Sequence, residues 1–225
     1  LITIRGLRFR TLTIELLDIP PGWTVLAGLN GSGKSSLIEC FTGFSKFSGE
    51  ISIDGNQVGE CPTGWLPPFP DRGIIFSTVE DEVASPLRFA GIPCRETRDR
   101  MLVLAERTGI SALLDREIQT LSGGEKVLAA LATALAMAPA VLLIDEAFSS
   151  LDSDARDRVE EVVKICRPRY IIEATHDMDR ALHRDRLIFL EKGNIVAMGS
   201  PQAIIGTFRG TPFEPLEMVT GGAGL

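Results

Sequence analysis

Apolar and polar residues alternate over Leu1–Arg5 and Thr13–Leu17, which predicts an antiparallel β pair. Pro20-Pro21-Gly22 then turns the chain into Thr24-Val25-Leu26-Ala27, an apolar run that reads as a buried strand. Ser36–Phe41 has the look of the first turns of a helix. Glu50–Asp54 alternates again and stops at an Asp54-Gly55-Asn56 turn. Cys61–Pro70 is rich in Pro, Gly and aromatic residues and predicts an ordered loop. Val79–Ala90 and Arg95–Arg107 combine helical periodicity with many charges, and predict a small helical subdomain inserted between two halves of a core. From Val141 the pattern runs strand, helix (Ser153–Cys166), strand (Tyr170–Ala174), helix (Met178–Leu182) and strand (Arg186–Leu190). Strands that alternate with helices imply an α/β fold with a mainly parallel sheet. The expected organisation is one domain over 1–225, with a core at 1–76 and 140–210 and a helical subdomain near 77–139. A mobile Gly- and Pro-rich tail is expected at 211–225.

Val127–Ile144 runs without a charge and reaches the length of a membrane span. Pro139 interrupts it. An Ala-rich buried helix, a turn and the strand Val141-Leu142-Leu143-Ile144 describe it better. No basic-then-apolar leader precedes the first strand, so no secretion signal is expected. The 225 residues carry 23 Lys and Arg against 30 Asp and Glu, a net charge of -7 that argues against general nucleic-acid binding. The four cysteines lie far apart without metal-ligand spacing, consistent with reduced thiols.

Three segments carry chemistry. Gly28-Leu29-Asn30-Gly31-Ser32-Gly33-Lys34-Ser35 fits G-x-x-x-x-G-K-[ST] between a strand and a helix. Its glycines let the backbone wrap an anion, and the following helix N-terminus adds partial positive charge beneath it. Lys34 would reach the β- and γ-phosphates of a nucleotide, and the Ser35 hydroxyl would ligate Mg²⁺. Val141–Glu146 is an apolar strand that ends in two acids. Asp145 suits Mg²⁺, through water, and Glu146 suits the attacking water. Leu121-Ser122-Gly123-Gly124-Glu125 precedes the Ala-rich helix. There Ser122 can cap the helix, and the glycines free N–H groups for a second anion contact.

Taken together these segments resemble the ATP-binding cassette (ABC) family. Gly28–Ser35 matches its Walker A loop, Leu121–Glu125 its LSGGE signature, and Val141–Glu146 its Walker B strand with the catalytic Glu. Ser149-Ser150-Leu151-Asp152 matches the D-loop, and His176 in Ala-Thr-His-Asp matches the switch histidine. The resemblance implies a P-loop NTPase core with an antiparallel β subdomain and an inserted helical subdomain. It implies ATP and Mg²⁺ as ligands, with Asn30, Gly31, Ser32, Gly33, Lys34, Ser35 and Ser36 around the phosphates. It implies a head-to-tail dimer, homo- or heterodimeric, in which Ser122, Gly123 and Gly124 touch the γ-phosphate held by the other subunit. In that arrangement Glu146 polarises water, His176 holds the γ-phosphate, and Asp152 links the two sites.

Two positions depart from the family. The Gln that touches Mg²⁺ and water falls, by ungapped reading, on Pro68, which has no side-chain acceptor. The adenine-stacking aromatic falls on Thr11, with Phe9 as the nearby alternative. Thr78-Val79-Glu80-Asp81-Glu82-Val83 with Pro86-Leu87 resembles the energy-coupling-factor group, which imports vitamins, cobalt and nickel. In that group a groove here takes an Arg-bearing coupling helix of the membrane subunit, and Asp71, Glu80, Asp81 and Glu82 would supply the opposing charge. The group's usual Gln in this stretch is Gly73. The implied role is an ATPase subunit that powers an importer from the cytoplasmic face of the membrane. Two alternatives stand beside it: an ABC-type ATPase not coupled to transport, and a poorly hydrolytic regulatory subunit, as Pro68 would suggest.

Overall fold

The computed structural model describes residues 1–149 and 151–208, without the side chains of Asp71 and Thr207. Ser150 of the Ser-Ser-Leu-Asp run and the tail expected at 211–225 lie outside these residues. In chain order the elements are β1 (Ile2–Phe9), β2 (Leu12–Ile19), β3 (Gly22–Ala27), α1 (Lys34–Phe41), β4 (Ser48–Ile53), β5 (Asn56–Gln57) and β6 (Thr63–Leu66). There follow α2 (Val79–Phe89), α3 (Cys94–Thr108), α4 (Gly123–Leu135), β7 (Val141–Asp145) and α5 (Ser153–Cys166). The last are β8 (Tyr170–Ala174), α6 (Met178–Ala181), β9 (Arg186–Glu191), β10 (Asn194–Gly199) and α7 (Pro201–Ile204). They form two compact units, one from Leu1–Cys61 with the chain from Tyr170, the other from Pro62–Arg169.

In the first unit an antiparallel sheet has the order β2-β1-β4-β5. β1 buries Ile2, Ile4 and Leu7, a change of phase. The cause is an irregularity between Arg5 and Arg8, where Gly6 adopts φ +57°. A bulge inserts one residue and turns the following side chains to the other face. This is why strict alternation stops at Arg5 although the strand continues to Phe9. A second sheet runs β10-β9-β3-β8, with β3 parallel to both β8 and β9. These three strands are almost entirely buried, as strands covered on both faces must be. α1 packs against β8. Thr13 N–H donates to the Gly193 carbonyl at 2.8 Å and so joins β2 to the β9–β10 turn.

In the second unit β6 and β7 pair in parallel, and α4 packs on β6, α2, α3 and α5. β6 corrects the expectation of a loop over Cys61–Pro70. Gly64 there marks a close approach, not a turn, because a Cβ would lie 2.4 Å from the Ala134 carbonyl oxygen. α2 starts at Thr78, whose hydroxyl accepts from Asp81 N–H, and contains Pro86. The Ser85 hydroxyl donates to the Glu82 carbonyl at 2.8 Å, where Pro86 has no N–H to give.

Candidate active site

β3 is central in its sheet and ends in the loop Gly28–Ser35, which leads directly into α1. Two glycines here are dictated by space. A Cβ on Gly28 (φ +145°) would lie 2.2 Å from the Leu190 carbonyl oxygen, and one on Gly33 (φ +110°) 2.7 Å from Leu12 Cδ2. Ser32 N–H donates to Leu29 O at 3.0 Å, and Gly193 N–H donates to Ser32 O at 2.9 Å, so the loop is held from both sides. Lys34 is only 5% exposed, and its ammonium donates to Gly28 O at 2.9 Å and Leu29 O at 3.2 Å. Asn30, Gly31 and Ser35 are exposed, and Ser36 is half-buried.

The loop fits a phosphate group. The Ser32 hydroxyl is buried with no hydrogen-bond partner among the described residues. The N-cap of α1 is a glycine, so no side chain caps the first turn. A helix start without a cap, a buried ammonium and an unsatisfied hydroxyl together call for an anion rich in acceptors. His176 belongs to the same unit. β8 is parallel to β3 in the register Leu26↔Ala174, and Thr175 N–H donates to Leu26 O at 3.1 Å. His176 is exposed one residue further on, at the same end of the sheet as the loop.

The second unit carries the acids and the LSGGE run. β7 ends on Asp145, which is buried. Glu146 follows at φ +51°, a left-handed conformation costly for a side chain of this kind. Ser149 stabilises the turn through its N–H (3.1 Å) and hydroxyl (2.8 Å), both donating to the Glu146 carbonyl. Asp152 caps α5 by accepting from Ala155 N–H at 2.8 Å. Ser122 caps α4 in a capping box: its hydroxyl accepts from Glu125 N–H at 3.3 Å, and Glu125 accepts from Ser122 N–H at 2.7 Å. Gly124 lets α4 approach α5, since a Cβ would stand 2.9 Å from Ala155 Cβ. A cleft of about 740 Å³ gathers Pro68, Ser122, Gly123, Gly124, Asp152 and Arg158. Pro68, at the position expected for Gln, is therefore in the same cleft as the LSGGE residues.

The Ser122 hydrogen bonds, with the Arg116 charge in support, hold the Glu125 carboxyl below its ordinary 4.5. This stabilisation is complete above that value and is lost as pH falls through the lowered one. Glu125→Ala should cost on the order of one helix cap, about 1 kcal/mol, at neutral pH. The deficit relative to wild type should shrink as urea unfolding is followed into acid.

A smaller cavity of about 240 Å³ lies between β6, α2 and α4, lined among others by Gly64, Trp65, Gly73, Glu82, Pro86 and Thr133. Of the acids singled out in the sequence, Glu82 lines it. Its side chain is buried, and one carboxylate oxygen accepts from Ile75 and Phe76 N–H, both at 2.9 Å. Asp81 is committed instead to Arg88 at 2.7 Å, which lowers its pKa. Gly64, Trp65 and Thr133 were not legible as groove residues, because nothing in their local sequence marks the cavity they share. Phe9 is half-buried beneath the Arg10 guanidinium, 4.7 Å from its ring centroid. No cluster of three or more metal-ligating side chains occurs among the described residues. No helix among them is long and apolar enough to cross a membrane, and Val127–Ile144 divides into α4 and β7 as expected.

A phosphate loop between a central parallel strand and a helix defines a P-loop nucleotide triphosphatase. The ABC transporter family profile matches residues 16–149. The chain belongs to the ABC transporter family, as one of its ATPases. It is 36% identical over 201 residues to the energy-coupling factor transporter ATP-binding protein EcfA1 of Mycoplasma mobile, covering 84% of this chain and 73% of that one. The EcfA1 of Streptococcus agalactiae is 34% identical over 195 residues, covering 82% and 70%. Among solved structures, cbiO1 from Clostridium perfringens, described as part of the ABC transporter complex cbiONQ, superposes with a TM-score of 0.82. Its sequence identity is 27%, over 91% of this chain and 90% of that one.

Proposed function

We propose that this chain is the ATPase subunit of an energy-coupling-factor or cobalt-type importer, and that ATP closes it against a second ATPase subunit. The observation that carries the reading is the phosphate loop with its buried, unsatisfied Ser32 hydroxyl, in a chain whose relatives are named as ATP-binding proteins of such transporters. Lys34 and the N–H groups at the start of α1 bind the β- and γ-phosphates. Ser35 and Asp145 would each suit Mg²⁺, which would offset the phosphate charge when bound. Glu146 orients a water molecule and accepts its proton as the oxygen attacks the γ-phosphorus and the bond to ADP breaks. His176 contacts the γ-phosphate. Ser122 and Gly124 meet the γ-phosphate bound by the other subunit, and Asp152 joins the two sites. Exposed Ser122 and Gly123 suit such a contact. ATP then favours the closed dimer and hydrolysis releases it, a shift between two states set by differential binding.

The cavity containing Glu82 suits the coupling helix of a membrane subunit, and its carboxylate suits a basic side chain on that helix. Thr133→Trp should fill the cavity. Co-purification with the membrane subunit should then fall at least about tenfold while ATP affinity is unchanged. If Thr133→Trp co-purifies like wild type, the cavity is not the docking site. If the wild-type chain hydrolyses ATP without any membrane partner in its native assembly, transport is not its role. A second reading, a slowly hydrolysing regulatory subunit, is favoured by one observation: Pro68 brings no side-chain acceptor to the cleft it lines.

A further inference from the structure

β8 is buried along its whole length, yet its fourth residue is an acid. Glu173 is 3% exposed. Trp23 on β3 donates its indole N–H to Glu173 Oε2 at 2.7 Å, and Arg184 donates Nε–H to the same oxygen at 3.5 Å. The Arg184 guanidinium, in a residue 9% exposed, lies 4.0 Å from the centroid of the Trp23 ring. Asp185 secures the backbone of Trp23 as well. It accepts from Trp23 N–H at 2.7 Å and donates its own N–H to Trp23 O at 3.2 Å. Trp23 is thus the hub of three adjacent strands: it stands on β3, touches β8 through Glu173, and holds the turn into β9.

Burial pushes the Glu173 carboxyl up. The Arg184 charge and the Trp23 hydrogen bond oppose this, and nearby Asp177 adds to it. A buried ion pair of this kind is a poor source of stability, since apolar residues of similar volume often do as well or better. What it supplies is geometry. Glu173 and Arg184 bracket the β8–β9 connection, which carries Thr175, His176 and α6. The start of that connection is fixed too. Thr175 N–H binds Leu26 O at 3.1 Å, and Asp177 N–H binds the Thr175 hydroxyl at 3.1 Å. Leu26 is two residues ahead of the phosphate loop.

We propose that Glu173, Trp23 and Arg184 are positioning residues that fix the His176 turn against the end of β3, so that turnover depends on them and nucleotide binding does not. The inference rests on the reading of His176 as a γ-phosphate contact. The test uses the full chain in the assembly that supports wild-type ATP turnover. Three variants are compared: Glu173→Gln, Trp23→Phe, and the apolar pair Glu173→Leu with Arg184→Leu. Each should lower kcat at least about tenfold, the scale expected when a reacting group is slightly misplaced. KM for ATP should stay within about twofold. The apolar pair leaves the Trp23 indole N–H without its acceptor and should melt somewhat lower than wild type; what a purely structural role does not give is the fall in kcat at unchanged KM. In a His176→Ala background, Glu173→Gln should add nothing, because both changes remove the same contribution. An apolar pair with wild-type kcat overturns the proposal. So does a Glu173→Gln effect that multiplies with His176→Ala. If His176→Ala itself keeps full turnover, the reading of His176 fails. If His176→Ala is slow and the apolar pair is fast, the clasp alone fails.

Discussion

Glu146→Gln should abolish steady-state ATP hydrolysis, with kcat falling on the order of 10²–10⁴-fold, while ATP still binds. Gln has the shape of Glu and tolerates the left-handed backbone at φ +51° about equally well, so the fold is not put at risk. What is lost is the ability to take a proton from water. ATP that cannot be cleaved should then accumulate in the closed dimer, visible as an ATP-dependent doubling of mass in light scattering. Ala at this site would be a poorer test, because it would also remove the packing of a half-buried side chain. Wild-type turnover in the Gln variant would remove Glu146 from the reaction. Absent turnover in both wild type and variant, with ATP bound by both, would favour the slowly hydrolysing reading suggested by Pro68.

Lys34→Ala should act one step earlier. Its ammonium is buried and already oriented by the Gly28 and Leu29 carbonyls at 2.9 and 3.2 Å, so it is pre-placed for an anion with little further ordering. Removing it takes away a charge-assisted contact to the phosphates and leaves two loop carbonyls without this donor. ATP affinity measured by calorimetry should fall on the order of 10²-fold, as loss of such a buried contact implies. Dimers should no longer form at ATP concentrations that close the Glu146→Gln variant. The two variants separate binding from chemistry. The first keeps ATP and stalls, and the second never holds it.

The phosphate loop was legible because its chemistry demands glycine, lysine and serine at fixed spacing, and the spacing survives whatever surrounds it. The same holds for Ser122, whose role as a cap needs only the residues up to Glu125. β1 was readable only as far as Arg5, since the bulge at Gly6 breaks the period that identifies a strand. β6 has the composition of a loop because Gly64 and the surrounding prolines usually punctuate turns. Here the glycine instead admits the α4 backbone, a contact with residues some distance along the chain. Of the acids near α2, the sequence could not say which faces a cavity. Asp81 turned to Arg88 and Glu82 turned inward, a choice made by packing. Glu173 left a faint local trace, a charge in an apolar strand. Its partners Trp23 and Arg184 could be found only through the sheet.

The pairing of β3 has a consequence for how the chain is made. Gly22 pairs with Tyr170 and Thr24 with Arg186, so neither flanking strand exists until Pro62–Arg169 has been made. The nascent phosphate loop therefore waits, its supporting strand exposing Trp23, Val25 and Leu26, while Pro62–Arg169 is synthesised. Pairings this distant in sequence close slowly and leave apolar strand edges open in the meantime. A substitution that weakens β8 or β9 away from Glu173 would first reduce the yield of finished protein.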